Sequence, residues 1–97
     1  MRQVDRYKEI LRNEMPYLRH KYHIAEVGLF GSFVREENKN SSDLDILVEF
    51  EEYPSAFEYI DLEDYLSQKL GVKVDLANKE TLKKYIGKRI LAEVEYL

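Results

Sequence analysis

Ninety-seven residues, 44% of them apolar and 35% charged, are enough for a single core and predict one domain over residues 1–97. A net charge of −4 argues against strong non-specific binding to nucleic acid, which needs a basic surface to neutralise phosphates. The absence of cysteine excludes disulfides, thiol nucleophiles and thiolate metal sites. No apolar stretch approaches the roughly 20 residues of a membrane span, so the expectation is a cytoplasmic protein without a membrane partner.

Along the chain, Val4, Tyr7, Leu11, Leu18 and Tyr22 recur at near-helical spacing and predict helix over residues 2–22. Pro16 either kinks this helix or opens a second one. Residues 24–30 read as a buried strand stopped by Gly31, and residues 32–36 as a short helix followed by a polar loop over 38–42. A second strand spans 44–50 with Asp43 and Asp45 at its entrance. Ser55 and Glu58 form a capping box for a helix whose stripe is Tyr59, Leu62, Leu66 and Leu70, with Gly71 placed to end it. Residues 72–76 alternate as a third strand. Asn78 is expected to cap a last helix reaching about Tyr96, with Leu82, Ile86, Ile90, Val94 and Leu97 inward and Gly87 costing about 1 kcal/mol relative to alanine. The order α-β-α-β-α-β-α predicts an α/β (α+β) fold, a small mixed sheet with helices mainly on one face.

The informative stretch is GSFVREENKNSSDLD, residues 31–45. Asp43 and Asp45 stand at i and i+2 of a strand and so face the same way, the spacing that holds one or two divalent cations. Two carboxylates side by side without a cation would repel and raise each other's pKa. Gly31 and Ser32, at the end of the first strand, form either a plain turn or a grip on polyphosphate, offering close backbone approach, unpaired N–H groups and a hydroxyl. Together the two halves describe a metal-dependent nucleotide site. Arg35 is either a surface charge or a guanidinium reaching the triphosphate, and Lys39 reads as solvated. Asp75 lies between two apolar residues of the third strand. It either faces solvent from a sheet edge or serves as a third metal-site carboxylate that accepts a proton. His20 and His23 lack the cysteine or acidic company of a zinc site, and the eight tyrosines suit packing better than base stacking.

Gly31-Ser32, ten intervening residues and Asp43-x-Asp45 resemble the G-S-x10-D-x-D signature of the nucleotidyltransferase superfamily related to DNA polymerase β. The short length is similar to its minimal nucleotidyltransferase (MNT) branch of antitoxin-type proteins, often paired with HEPN-domain partners. Many relatives read G-S-x-A-R-G-E where this chain has Gly31-Ser32-Phe33-Val34-Arg35-Glu36-Glu37, so Glu36 stands in place of a glycine. The resemblance implies a sheet of three to four strands with the acidic residues on its open face. It also implies Asp43, Asp45 and Asp75 as catalytic and Mg²⁺-binding groups, with room for two ions, and Gly31, Ser32 and Arg35 as nucleotide-binding groups. The implied reaction moves AMP from ATP to a hydroxyl, with a tyrosine of a HEPN ribonuclease toxin as the implied acceptor, without the extra helical domain by which larger relatives bind an acceptor. The alternative is a weakly catalytic or non-catalytic module that neutralises a partner by contact. Nucleotide preference, acceptor and oligomeric state, a homo-oligomer included, are not written in the residues.

Overall fold

A computed structural model describes residues 2–85 and 88–97. The first helix, α1 (Gln3–Tyr22), runs unbroken through Pro16. Its buried face is Val4, Tyr7, Leu11, Met15, Leu18 and Tyr22, so apolar contacts on both sides of the proline hold the helix together across the missing N–H. His23 ends it in the left-handed conformation, φ 56°. Strand β1 (Ile24–Phe30) then pairs antiparallel with β2 (Leu44–Phe50). Between them residues 32–36, expected as a short helix, form a tight turn. Val34 and Arg35 N–H both bond to the Gly31 carbonyl, at 3.1 and 3.2 Å, and Glu36 at φ 58° breaks any continuation.

The capping box of α2 (Ala56–Leu70) forms as its sequence predicts. Ser55 Oγ accepts from Glu58 N–H at 3.2 Å, and Glu58 Oε1 accepts from Ser55 N–H at 3.1 Å. Gly71, at φ 68°, donates its N–H to Ser67 O at the other end. Strand β3 (Val74–Asn78) lies two residues later than expected and pairs parallel with β2.

The predicted long last helix is instead α3 (Lys79–Tyr85), α4 (Lys88–Glu93) and a short strand, β4 (Glu95–Tyr96), antiparallel to β1. Val94 and Leu97 therefore flank a strand rather than line a helix, and Ile86 and Gly87 lie outside the described residues. Two contacts favour the strand. Gly28 lets the chain end come in close, since a Cβ there would lie 2.5 Å from Val94 Cγ1. Glu95 is clasped by Arg2 at 2.5 Å and Lys8 at 2.6 Å, both on the N-terminal segment.

The sheet order is β3-β2-β1-β4. Helices α1 and α2 cover one face, burying Ile24, Val27, Leu29, Leu44, Ile46, Val48, Val74 and Leu76. Each fully buried aliphatic side chain contributes about 1.5–3 kcal/mol. Strand alternation sends Leu47 to the opposite face, where α3 with its buried Leu82 lies against β2 and β3. Among the described residues no helix is long and apolar enough to cross a membrane.

Candidate active site

Parallel pairing of β2 with β3 places Asp45 directly beside Asp75. In-register neighbours on adjacent strands point to the same face, so the two carboxylates share the side of the sheet opposite α1 and α2. Strand β3 is an edge strand and Asp75 is exposed, so it faces solvent from the sheet edge and stands next to Asp45 as well. Asp43 precedes β2 by one residue, with Lys73 Nζ 4.0 Å from its Oδ2. The strand pairing reaches this end through the bond from Leu44 N–H to Lys73 O, 2.8 Å.

Asp45 carries the electrical signature of the cluster. Burial, then the charges of Asp75 and Asp43, push its carboxyl up to about 6, against the pull of Arg35. The acids are thus near enough to repel. Their oxygens do not converge on one point, for no group of three His, Cys, Asp or Glu side chains is arranged to hold a metal ion among the described residues. That suits Mg²⁺, which takes one or two carboxylates and completes its shell with water and substrate phosphates. The donors are all hard oxygens and the repelled Asp45 gains from a cation, so Asp45 and Asp75, with Asp43 beside them, fit the ion.

Gly31 follows β1 at the same end of the sheet, with φ 82°. Its α-carbon leans on Asp45 so closely that a Cβ would lie 2.0 Å from Oδ2. Ser32 is half-buried, and its hydroxyl makes no hydrogen bond among the described residues. Arg35 lies in the same turn, its N–H bonded to the Gly31 carbonyl and its side chain exposed. Its Nε meets Glu37 Oε2 at 3.0 Å and its Nη1 meets Glu93 Oε1 at 2.7 Å. The six residues singled out from sequence therefore gather at one end of the sheet.

Sequence reasoning missed Glu93, the last residue of α4. Its other oxygen, Oε2, accepts the Gly31 N–H at 2.8 Å. A lone glutamate on an amphipathic segment carries no local mark of such a role. The signal lay in Gly31, whose N–H needed a partner from elsewhere.

A nucleotidyltransferase domain model matches residues 7–97. The protein adenylyltransferase MntA of Thermococcus cleftensis is 46% identical over 94 residues, 97% of this chain and 95% of that one. Among solved structures, one provisionally assigned as a minimal nucleotidyltransferase superposes with a TM-score of 0.73 at 31% identity, covering 97% of this chain and 91% of the other. A complex of tri-AMPylated Shewanella oneidensis HEPN toxin with MNT antitoxin shares the fold at a TM-score of 0.62 and 19% identity, covering 99% and 71%. The chain belongs to the nucleotidyltransferase domain family, within its minimal, MntA-like group. It is a nucleotidyltransferase of the adenylyltransferase type.

Proposed function

We propose that this chain transfers AMP from ATP, with Mg²⁺, to a hydroxyl of a partner protein in the cytoplasm. The acceptor we propose is a tyrosine of a HEPN-type ribonuclease toxin, which makes the chain an antitoxin. The observation that carries the reaction is the in-register pairing of Asp45 with Asp75 beside the Gly31 turn. The acceptor draws support from the likeness to the MNT antitoxin bound to an AMPylated HEPN toxin.

In this reading Gly31 N–H, the Ser32 hydroxyl and Arg35 hold the β- and γ-phosphates, the guanidinium by charge-assisted bonds. Asp75, exposed at the sheet edge, accepts the proton of the acceptor hydroxyl. The acceptor oxygen bonds to the α-phosphorus as the bond from that phosphorus to the bridging oxygen breaks, and pyrophosphate leaves with the electron pair. Asp45 and Asp75, with Asp43 beside them, would hold the cation, which when bound supplies charge neutralisation to the reacting phosphates.

The test is to incubate the chain with ATP labelled at the α-phosphate, Mg²⁺ and the purified product of the neighbouring gene. Label on the partner, lost in Asp43→Asn and Asp45→Asn, is expected. Inhibition of the partner that survives both substitutions without label would instead establish a binder acting by contact. Glu36, exposed in the turn where relatives carry glycine, is what keeps that second reading in view.

A further inference from the structure

We propose that Glu93 is an internal competitor of the nucleotide, its carboxylate occupying the Gly31 N–H and Arg35 guanidinium that the nucleotide's terminal phosphates require. Engagement of Glu93 and binding of a polyphosphate then exclude one another, and residue 93 sets nucleotide affinity. The inference rests on the nucleotide site described under Proposed function.

The two contacts are arranged as a phosphate would arrange them. One carboxylate oxygen takes a backbone N–H at 2.8 Å and the other a guanidinium nitrogen at 2.7 Å. Carboxylate is the side-chain group nearest in charge and geometry to a phosphoryl group, and Arg binds both in the same way. Burial alone would raise the Glu93 carboxyl, but Arg35 and the Gly31 N–H outweigh it and hold the group below its ordinary value. The resting occupant is therefore an anion. Beside it opens a cleft of about 440 Å³ lined by Arg35, Glu37, Arg89, Ile90 and Glu93. Arg89 adds a second positive charge that Glu93 feels. A terminal phosphate, with more charge and more acceptor oxygens than a carboxylate, competes for this set of donors. Glu93 ends a six-residue helix, its side chain is 21% exposed, and it has solvent to turn into.

The experiment is calorimetric titration of the full chain with ATP and Mg²⁺ and, separately, with inorganic tripolyphosphate, using wild type, Glu93→Gln, Glu93→Ala and Glu93→Ala combined with Arg35→Ala. Thermal melts establish that each variant is folded, and Glu93→Gln, which keeps shape and acceptor but loses the charge, carries the test if Glu93→Ala does not fold. Both ligands are expected to bind about tenfold more tightly to the single Glu93 variants, the scale of one charge-assisted contact. The gain is expected to vanish in the double variant. Unchanged or weaker binding would show a strut or a contributor to the site and overturn the proposal. Tighter binding of ATP but not tripolyphosphate would overturn it too, by placing Glu93 against the nucleoside. If wild type binds nucleotide with an affinity indifferent to residue 93, this inference alone falls. If no folded variant binds either ligand, the nucleotide-site reading falls with it.

Discussion

Gly31 and Asp45 are in contact so close that no side chain fits between them: a Cβ on Gly31 would lie 2.0 Å from Asp45 Oδ2 and 2.9 Å from Cγ. The glycine that begins the turn proposed to hold phosphate and the aspartate proposed to hold the cation therefore form one unit, across 14 positions of sequence (45 minus 31).

Gly31→Ala is expected to fail on two counts. The left-handed backbone at φ 82° costs an alanine about 1 kcal/mol, and the overlap with Asp45 adds about 1–3 kcal/mol of repacking. A melting temperature lowered by at least about 5 °C, together with loss of AMP transfer, is the expected result. An alanine variant as stable and active as wild type would contradict the geometry.

Asp45 makes stability depend on pH in an unusual direction for a carboxylate. Its folded-state value, about 6, lies above the ordinary 3.8, so folding favours the protonated form. The stability from this group is fully present below about pH 4 and is lost as pH rises through 6. Asp45→Asn should therefore stabilise the chain at pH 7.5 by about 1–2 kcal/mol, after allowance for solvent screening of a half-buried group, while abolishing transfer. Urea melts at pH 4 and 7.5 without divalent ions measure it. Added Mg²⁺ should raise the midpoint of wild type at pH 7.5 and leave the asparagine variant unmoved.

Glu95 works in the opposite sense. Arg2 and Lys8 hold its carboxyl down to about 2, against a burial effect that would raise it. Its contribution is present above about pH 4.5 and is lost as pH falls toward 2. Glu95→Gln should cost about 1–2 kcal/mol at pH 7 after screening, and little at pH 2.5. Equal losses at both pH values would show that packing, not charge, ties β4 to α1.

Glu36 sits at φ 58° with an exposed side chain. Glutamate is strained there and glycine is not, which gives a physical reason for the glycine in related turns. Glu36→Gly is expected to raise stability by about 0.5–1 kcal/mol, less than the full strain because glycine loses more freedom on folding. Thermal melts would show a rise of a few degrees, and a fall would exclude strain at this position.

Local chemistry was enough for much of this protein. The stripes of α1 and α2, the Ser55–Glu58 capping box, the Gly71 cap and the apolar run of the strand over residues 44–50 each depend on neighbours within a few positions. They were legible for that reason. The choice between α4 followed by β4 and one long helix was not local. It turned on the space above Gly28 and on the grip of Arg2 and Lys8 on Glu95, more than 80 residues away in sequence. Tertiary structure likewise decided that Asp75 falls in register with Asp45, because strand register depends on which faces two strands can both bury. It alone brought Glu93 onto Gly31 and Arg35, since a backbone N–H records nothing in sequence about which distant carboxylate will answer it.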